Sequence, residues 1–183
     1  VSVVGHCSSS ANIAWDDAGL NDCGTLVPFV RWRVQVKTNV GPGAGIWSEP
    51  AGCLDLRSPC LTACKATGML SNSRYEAKVS AVCGQAEANS PESVPGAGYT
   101  LPSAADPPVN LQLTSATATT IGISWQPGQQ GDCAFERWEL EVRGPSGTWS
   151  SNPDGCQLLS NLNSASCTLL GLACNTAFSL RVR

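Results

Sequence analysis

Cysteine is the residue type that offers this chain the most chemistry. Ten cysteines occur in 183 residues, against one histidine and one methionine. So many thiols are unusual in a reducing compartment, whereas small secreted domains use paired cysteines as cross-links because their hydrophobic cores are marginal. The composition therefore predicts disulfide bonds and a protein of the secretory pathway, either extracellular or at the cell surface.

Metal binding is the competing chemistry for these residues. His6-Cys7 and Cys60-x3-Cys64 contain residue types that bind zinc, and Asp16-Asp17 with Asp22 could offer carboxylates to Ca²⁺. A zinc site would have only one histidine and no second pair of closely spaced cysteines, and the aspartates fit solvated turns. We therefore expect no metal ion and no cofactor.

Catalysis needs residue constellations that the sequence does not contain. There is no C-x-x-C redox motif, no G-x-S-x-G nucleophile elbow, no phosphate-binding loop and no histidine-centred dyad. His6 on its own is typical of an exposed strand or turn. We expect no catalytic residues and a protein that is not an enzyme.

The elements that must position the cysteines are strands, and one strand occurs twice. The chain contains Phe29-Val-Arg-Trp-Arg-Val-Gln-Val36 and later Phe135-Glu-Arg-Trp-Glu-Leu-Glu-Val142. From each tryptophan onward every second side chain is apolar, which places the apolar side chains on one face of a strand and the charged or amide side chains on the other. Each stretch predicts a half-buried β-strand within a tandem repeat.

Many other residues fall into register with this strand. All six tryptophans form matched pairs, and so do six of the cysteines. The pairs are Trp15 with Trp125, Trp32 with Trp138, Trp47 with Trp149, Cys23 with Cys133, Cys53 with Cys156, and Cys64 with Cys167. We assign the six tryptophans, together with the matched Tyr75 and Phe178, to the hydrophobic cores of the two copies.

Charge and hydropathy exclude two classes of partner. The formal net charge is -3 and charged residues make up 14% of the chain, against about 25% in an ordinary domain. This leaves no basic surface for nucleic acid, and no stretch approaches the roughly 20 apolar residues of a membrane span. We expect no nucleic-acid binding and no direct membrane insertion. The chain lacks an Asn-x-Ser/Thr sequon, so N-glycosylation is not predicted. If the protein is a glycoprotein, its glycans would be O-linked.

Both copies consist of short strands separated by turn residues, and their motifs resemble those of fibronectin type III domains. In the second copy Pro107-Pro-Val-Asn-Leu-Gln-Leu113 resembles the proline-led first strand, and Ile121-x-Ile123-x-Trp125 resembles the second strand with its core tryptophan. Leu172-Ala-Cys-Asn-Thr-Ala-Phe178 resembles the L-x-P-x-T-x-Y corner, although Phe178 replaces the tyrosine that Tyr75 keeps in the first copy. The cystines are a second departure, because they are not typical of the family.

The resemblance implies an all-β fold of two consecutive fibronectin III-like β-sandwiches stapled by disulfides. We place the first domain at residues 1–103 and the second at 104–183, with a stiff linker at Ser103-Ala-Ala-Asp-Pro-Pro108. The second copy stops inside its sixth strand, so we expect it to lack its last strand in this chain. The open edge of such a sandwich would be covered within a longer array or completed by a strand from a partner.

The resembled topology also implies three disulfides. Cys23 and Cys83 would meet at one pole of the first sandwich. Cys53–Cys64 and Cys156–Cys167 would each bracket the connection after the fourth strand. In the chain-entropy account such bonds stabilise a domain by about 3 to 4 kcal/mol each.

Four cysteines have no firm partner. Cys133 would await a cysteine beyond residue 183. Cys7, Cys60 and Cys174 have no assigned mates, although Cys7–Cys60 is a candidate for a further disulfide.

Two Arg-Trp pairs allow two arrangements. Arg31-Trp32 and Arg137-Trp138 could stack with Trp47 and Trp149 in a guanidinium–indole ladder similar to that of class I cytokine receptors. Alternatively, each tryptophan faces the core and each arginine is solvated, which is the arrangement that we favour. The Trp-Ser-x-Trp-Ser box of those receptors is absent from this sequence.

These features predict a non-catalytic extracellular module with an adhesive or structural role. The resemblance implies a longer repeat array that spaces and presents loops or packs into a surface assembly, with other copies or neighbouring domains as partners and protein or glycan ligands as further candidates. Two other functions stay open: the ectodomain of a signalling receptor that binds a protein ligand at the domain elbow, and an accessory module of a secreted carbohydrate-active enzyme.

Overall fold

The computed structural model describes residues 1–16 and 27–183 and contains two compact units. The first unit is Val1–Ser103 and the second is Ala104–Arg183. Both are built from antiparallel strands, and the only helical element among the described residues is a short 3₁₀ turn at Ala86–Ala88. The all-β class predicted from the sequence is confirmed. No helix in the described ranges has the length and apolar composition needed to cross a membrane.

The first unit is a sandwich of two three-stranded sheets. Its strands are β1 (Ser2–Cys7), β2 (Ser10–Ala14), β3 (Phe29–Thr38), β4 (Ala63–Thr67), β5 (Arg74–Cys83) and β6 (Gly96–Tyr99). One sheet has the order β1-β2-β4 and the other the order β3-β5-β6. The facing surfaces of these two sheets enclose the core.

The long pair β3-β5 follows from the period of two in the sequence. Trp32, Val34 and Val36 are buried, and the residues between them are half-exposed. β3 pairs with β5 in a register that places Val34 opposite Val79. Short bridges from Trp32 to Leu56 and from Val36 to the segment after Trp47 cover the outer edge of β3.

The second unit repeats this architecture. Its strands are β7 (Val109–Ala116), β8 (Ile121–Gln126), β9 (Leu140–Arg143), β10 (Trp149–Ser151), β11 (Ser166–Leu169) and β12 (Ser179–Val182). The sheets have the orders β7-β8-β11 and β10-β9-β12. β7, β8, β9, β11 and β12 thus correspond to β1 to β5, while the described residues contain no counterpart of β6 in this unit.

Strand β9 is shorter than the sequence predicts. The repeated motif predicts a strand over Phe135–Val142, but the regular ladder begins at Leu140. Upstream of Leu140, the backbone N–H of Trp138 donates to the Leu159 carbonyl at 2.9 Å. Glu139 exchanges two backbone hydrogen bonds with Arg183, at 2.8 and 3.0 Å. The backbone is therefore paired from Trp138 onward, without forming a continuous strand from Phe135.

Three of the eight residues assigned to the cores lie elsewhere. Trp15, Trp32, Tyr75, Trp125 and Trp138 are buried. Trp47, Trp149 and Phe178 are only half-buried, so their assignment to the core is wrong. The two tryptophans lie among cations, whereas the Phe178 ring packs beside Gly144, whose Cβ, if present, would lie 3.3 Å from it.

Candidate functional site

A disulfide occupies the same place in each unit. Cys53 bonds Cys64 and Cys156 bonds Cys167, with the Cα atoms 5.5 Å apart in both cases. Cys64 lies in β4 and Cys167 in β11, so each bond ties a strand to the loop beside it. Cys53 and Cys156 are fully buried. Burial shields these bonds from solution thiols and gives them a structural role.

Glycine precedes both disulfides because nothing larger fits. Gly52 has φ +85°, and a Cβ on it would lie 2.1 Å from the Lys65 carbonyl oxygen. Gly155 has φ +84°, and its Cβ would lie 2.0 Å from the Thr168 carbonyl oxygen. The loop can approach the strand closely enough for the disulfide to form because this position lacks a side chain.

Three aromatic rings form the centre of each core. Trp32 meets Trp15 edge-on at 5.8 Å and Phe29 at 5.3 Å between ring centroids. In the second unit Trp138 meets Trp125 at 5.8 Å and Phe135 at 5.0 Å. Such tilted contacts add stabilisation beyond the buried area of the rings.

On the outer face of the β3-β5-β6 sheet, a tryptophan lies beside two cations. Lys37 Nζ is 4.9 Å and Lys78 Nζ 4.5 Å from the centroid of Trp47. Lys37 also pairs with Glu76 at 3.0 Å, and Lys78 with Glu92 at 2.6 Å. The alternation of cations, indole and carboxylates forms a ladder across the sheet.

Arg31 belongs to a second ion pair on this sheet. Its two terminal nitrogens donate to both carboxylate oxygens of Glu49, at 2.7 and 3.0 Å. This bidentate hydrogen bonding lowers the pKa of Glu49 below its usual value and raises the pKa of Arg31. The expectation of a solvated Arg31 is therefore wrong, while Trp32 does face the core.

The second unit has an equivalent ladder built from arginines. The guanidinium carbons of Arg143 and Arg181 lie 4.9 and 4.3 Å from the centroid of Trp149. Arg181 donates from Nε to Glu141, whose side chain is only 8% exposed. That hydrogen bond lowers the pKa of the Glu141 carboxyl and keeps it ionised in its covered position.

The comparison with known proteins agrees with this geometry. A sequence model of the fibronectin type III domain matches residues 106–183. The second unit is a fibronectin type III domain. The first unit shares the order of five strands, the buried disulfide and the aromatic centre, so the chain folds as two consecutive fibronectin III-like β-sandwiches.

A segment of two fibronectin type III domains from chicken tenascin aligns with a TM-score of 0.45 and 12% sequence identity, over 99% of this chain and 86% of that one. No curated protein matches the sequence.

The first fibronectin III-like sandwich has a tyrosine corner. The Leu70 N–H donates to the Tyr75 hydroxyl at 2.8 Å. Phe178 holds the corresponding position in the second domain and has no hydroxyl to accept such a bond.

Of the predicted Cys23–Cys83 pair, the structure describes only Cys83. Cys83, at the end of β5, is disulfide-bonded. Cys23 lies outside the described residues, so this pairing stays a prediction.

Among residues 1–16 and 27–183, four cysteines carry exposed free thiols: Cys7, Cys60, Cys133 and Cys174. The candidate Cys7–Cys60 bond is wrong, because the two residues lie at opposite ends of one sheet. In the strand pairing, Cys7 lies opposite Ser10 at the start of β2. Cys60 lies just before Ala63, which is opposite Ala14 at the other end of β2.

The metal-site alternatives are not supported by the described residues. Among residues 1–16 and 27–183 no group of three or more His, Cys, Asp or Glu side chains is placed to hold a metal ion. Cys64 is oxidised and cannot act as a thiolate ligand. Asp17 and Asp22 of the proposed calcium cluster lie outside the described residues.

The cations that flank Trp47 and Trp149 were not among the predicted site residues. Lys37 matches Arg143, and Lys78 matches Arg181, in the same alignment that pairs the tryptophans. All four lie at positions that point away from the core in a pattern of period two. A positive charge recurs in both repeats at the Lys37/Arg143 position and at the Lys78/Arg181 position, and this recurrence could have revealed the ladder.

Proposed function

We propose that the chain is a non-catalytic extracellular module with an adhesive or structural role, part of a longer array of such domains. In this role it spaces its neighbours and presents loops, or packs into a surface assembly. The observation that carries the proposal is the duplication of a stapled core and an outer cation–tryptophan ladder in both domains.

The ladders support a scaffold role because their charges are largely satisfied within each domain. Lys37, Lys78 and Arg181 contact a carboxylate as well as an indole. Side chains held by several partners resist rearrangement, since each has already lost its conformational entropy. The sheets can then serve as rigid supports for the turns at either end of each sandwich.

An extracellular setting is supported by the cross-links. The domains contain buried disulfides, which form and persist in oxidising compartments. The predicted partners are other copies or neighbouring domains of the array, and protein or glycan ligands at the loops.

Bead adhesion tests this proposal. The oxidised chain, produced by secretion, is coupled to beads, and bead clustering and attachment to cell-surface glycoproteins are counted. The matched control is the same chain after reduction and alkylation, which removes the staples and the fold. Clustering or attachment by the folded chain alone is the expected result. Folded chain that neither clusters nor attaches would contradict the proposal.

A receptor ectodomain is the second candidate, and the ladders favour it. Trp149 stacks with the guanidinium groups of Arg143 and Arg181, as in the guanidinium–indole ladder of class I cytokine receptors, whereas lysines flank Trp47. A saturable complex with a soluble protein ligand, without bead clustering, would favour the receptor over the adhesive module.

A further inference from the structure

Strand β1 of the first domain ends in a bulge that turns a cysteine outward. Val3 is buried and Gly5 is partly buried, so the alternation of a regular strand would turn Cys7 toward the core as well. The register of β1 against β2 shifts between Gly5 and Cys7, which leaves His6 as an extra residue. As a result both His6 and Cys7 are exposed.

The bulge also brings two side chains of complementary chemistry together. Neighbouring side chains of a regular strand point to opposite faces, yet His6 Nδ1 lies 3.0 Å from Cys7 Sγ. With the ring proton on Nε2, Nδ1 accepts the hydrogen of the thiol. A thiol in contact with an imidazole base has the arrangement of an activated nucleophile.

This base separates Cys7 from the other free thiols. Cys7, Cys60, Cys133 and Cys174 are all exposed, so accessibility does not distinguish them. The chain contains one histidine, and its ring lies against Cys7. Cys133 Sγ lies instead 3.6 Å from a backbone carbonyl oxygen, which cannot take up a proton.

The second domain forms the corresponding β7-β8 hairpin without either residue. In the alignment of the repeats, Ala116 takes the position of His6. Thr117 takes the position of Cys7, and its N–H donates to the Thr120 carbonyl at 3.0 Å across the turn. The hairpin therefore requires neither an imidazole nor a thiol, which leaves the pair in the first domain without a structural explanation.

We propose that Cys7, with His6 as its base, is a thiol-exchange site for small soluble disulfides of the glutathione class. The thiol gives its proton to His6 Nδ1, and the thiolate attacks one sulfur of the disulfide. A bond forms between Cys7 Sγ and that sulfur while the disulfide bond breaks. The other sulfur leaves as a thiolate and takes the proton back from His6. Oxidising compartments, in which buried disulfides form and persist, contain disulfides of this kind.

The product is a mixed disulfide that the first domain does not resolve by itself. Resolution needs a second thiol beside the first, as in C-x-x-C proteins. Cys60 lies at the opposite end of β2. Cys53 and Cys64 are bonded to each other, and Cys83 is also disulfide-bonded. The site therefore acts as a reversible modification site, from which an external thiol releases the small molecule.

Oxidised glutathione tests the site on the full chain at neutral pH. Samples are quenched with acid and digested, and mass spectrometry gives the rate of mixed-disulfide formation at each free cysteine. We expect Cys7 to react about tenfold faster than Cys60 or Cys174. His6→Gln, which removes the base, should lower the rate at Cys7 to that of Cys60. Ser8→Ala is the matched control on the other side of Cys7 and should change nothing.

The same digest shows whether each variant is folded. An intact Cys53–Cys64 bond reports the fold, since Cys53 is fully buried, and the rates at Cys60 and Cys174 should not respond to His6→Gln. Equal rates at Cys7, Cys60 and Cys174 in the wild type would overturn the proposal. A Cys7 that stays fast in His6→Gln would also overturn it, because exposure alone would then explain the reaction.

Discussion

Trp15 lies edge-on to Trp32 with the ring centroids 5.8 Å apart, and Trp125 meets Trp138 at the same distance. The two pairs are formed by sequence-matched residues in separate domains, and both are buried. Equal packing at matched positions indicates that the duplication extends to the arrangement of the core.

The central tryptophan should dominate the stability of its domain. Trp138→Ala removes a buried ring and should lower the free energy of unfolding of the second domain by about 3 to 5 kcal/mol. Trp149→Ala removes a half-exposed ring and its cation contacts, and should cost less, about 0.5 to 2 kcal/mol for those contacts. Urea denaturation with separate fits for the two domains measures both losses. The account fails if Trp149→Ala is the more damaging change.

The glycine before the first disulfide should be irreplaceable. Gly52 and Gly43 both have positive φ, +85° and +80°, but a Cβ on Gly43 would meet nothing within 4 Å. Gly43→Ala therefore costs only backbone strain of about 1 to 2 kcal/mol. Gly52→Ala adds a clash with the Lys65 carbonyl, which we expect to cost a further 1 to 3 kcal/mol or so. Equal melting temperatures for the two variants would contradict the close approach.

The tyrosine corner should stabilise the first domain only. Tyr75→Phe removes the acceptor of the Leu70 N–H and should lower the free energy of unfolding by about 1 kcal/mol. Tyr99→Phe is the control, since that ring is 62% exposed. Chemical denaturation compares the two, and similar losses would argue against a specific role for the corner.

The Arg31–Glu49 pair should make the first domain sensitive to acid. The folded state lowers the pKa of Glu49, so this stabilisation is complete above the usual glutamate pKa and is lost as the pH falls through the folded value. Urea midpoints of the first domain should therefore drop less steeply between about pH 5 and pH 3 in Glu49→Gln than in the wild type.

The control for that experiment is Asp55→Asn. The Arg57–Asp55 pair has side chains 78% and 73% exposed, and such surface pairs contribute little. A parallel pH profile for wild type and Glu49→Gln would show that the pair has no role in acid sensitivity.

The fold was predictable because its strongest signals repeat. Apolar residues at every second position around Trp32 and Trp138 identify a strand with one buried face, and their duplication defines two domains. A strand with this pattern has one buried face, so whether a side chain points to the core or to solvent follows from its place in the alternation.

The outer tryptophans were not placed correctly because their local pattern is ambiguous. Trp47 precedes a one-residue bridge at Ser48, and Trp149 begins the three-residue edge strand β10, so the alternation at both is too brief to assign a face. Hydrophobicity alone favours burial, but an indole can instead lie under cations at the surface. The ion pairs Arg31–Glu49 and Arg181–Glu141 join segments that are distant in sequence, so the local pattern did not predict them.

Disulfide mapping of the unreduced chain tests the central claim most directly, namely two duplicated domains with a buried disulfide at the same position in each. Alkylation followed by proteolysis and mass spectrometry should yield peptides linked through Cys53–Cys64 and Cys156–Cys167. Bonds that join the two halves of the chain at these cysteines, or alkylation of all four, would contradict the account.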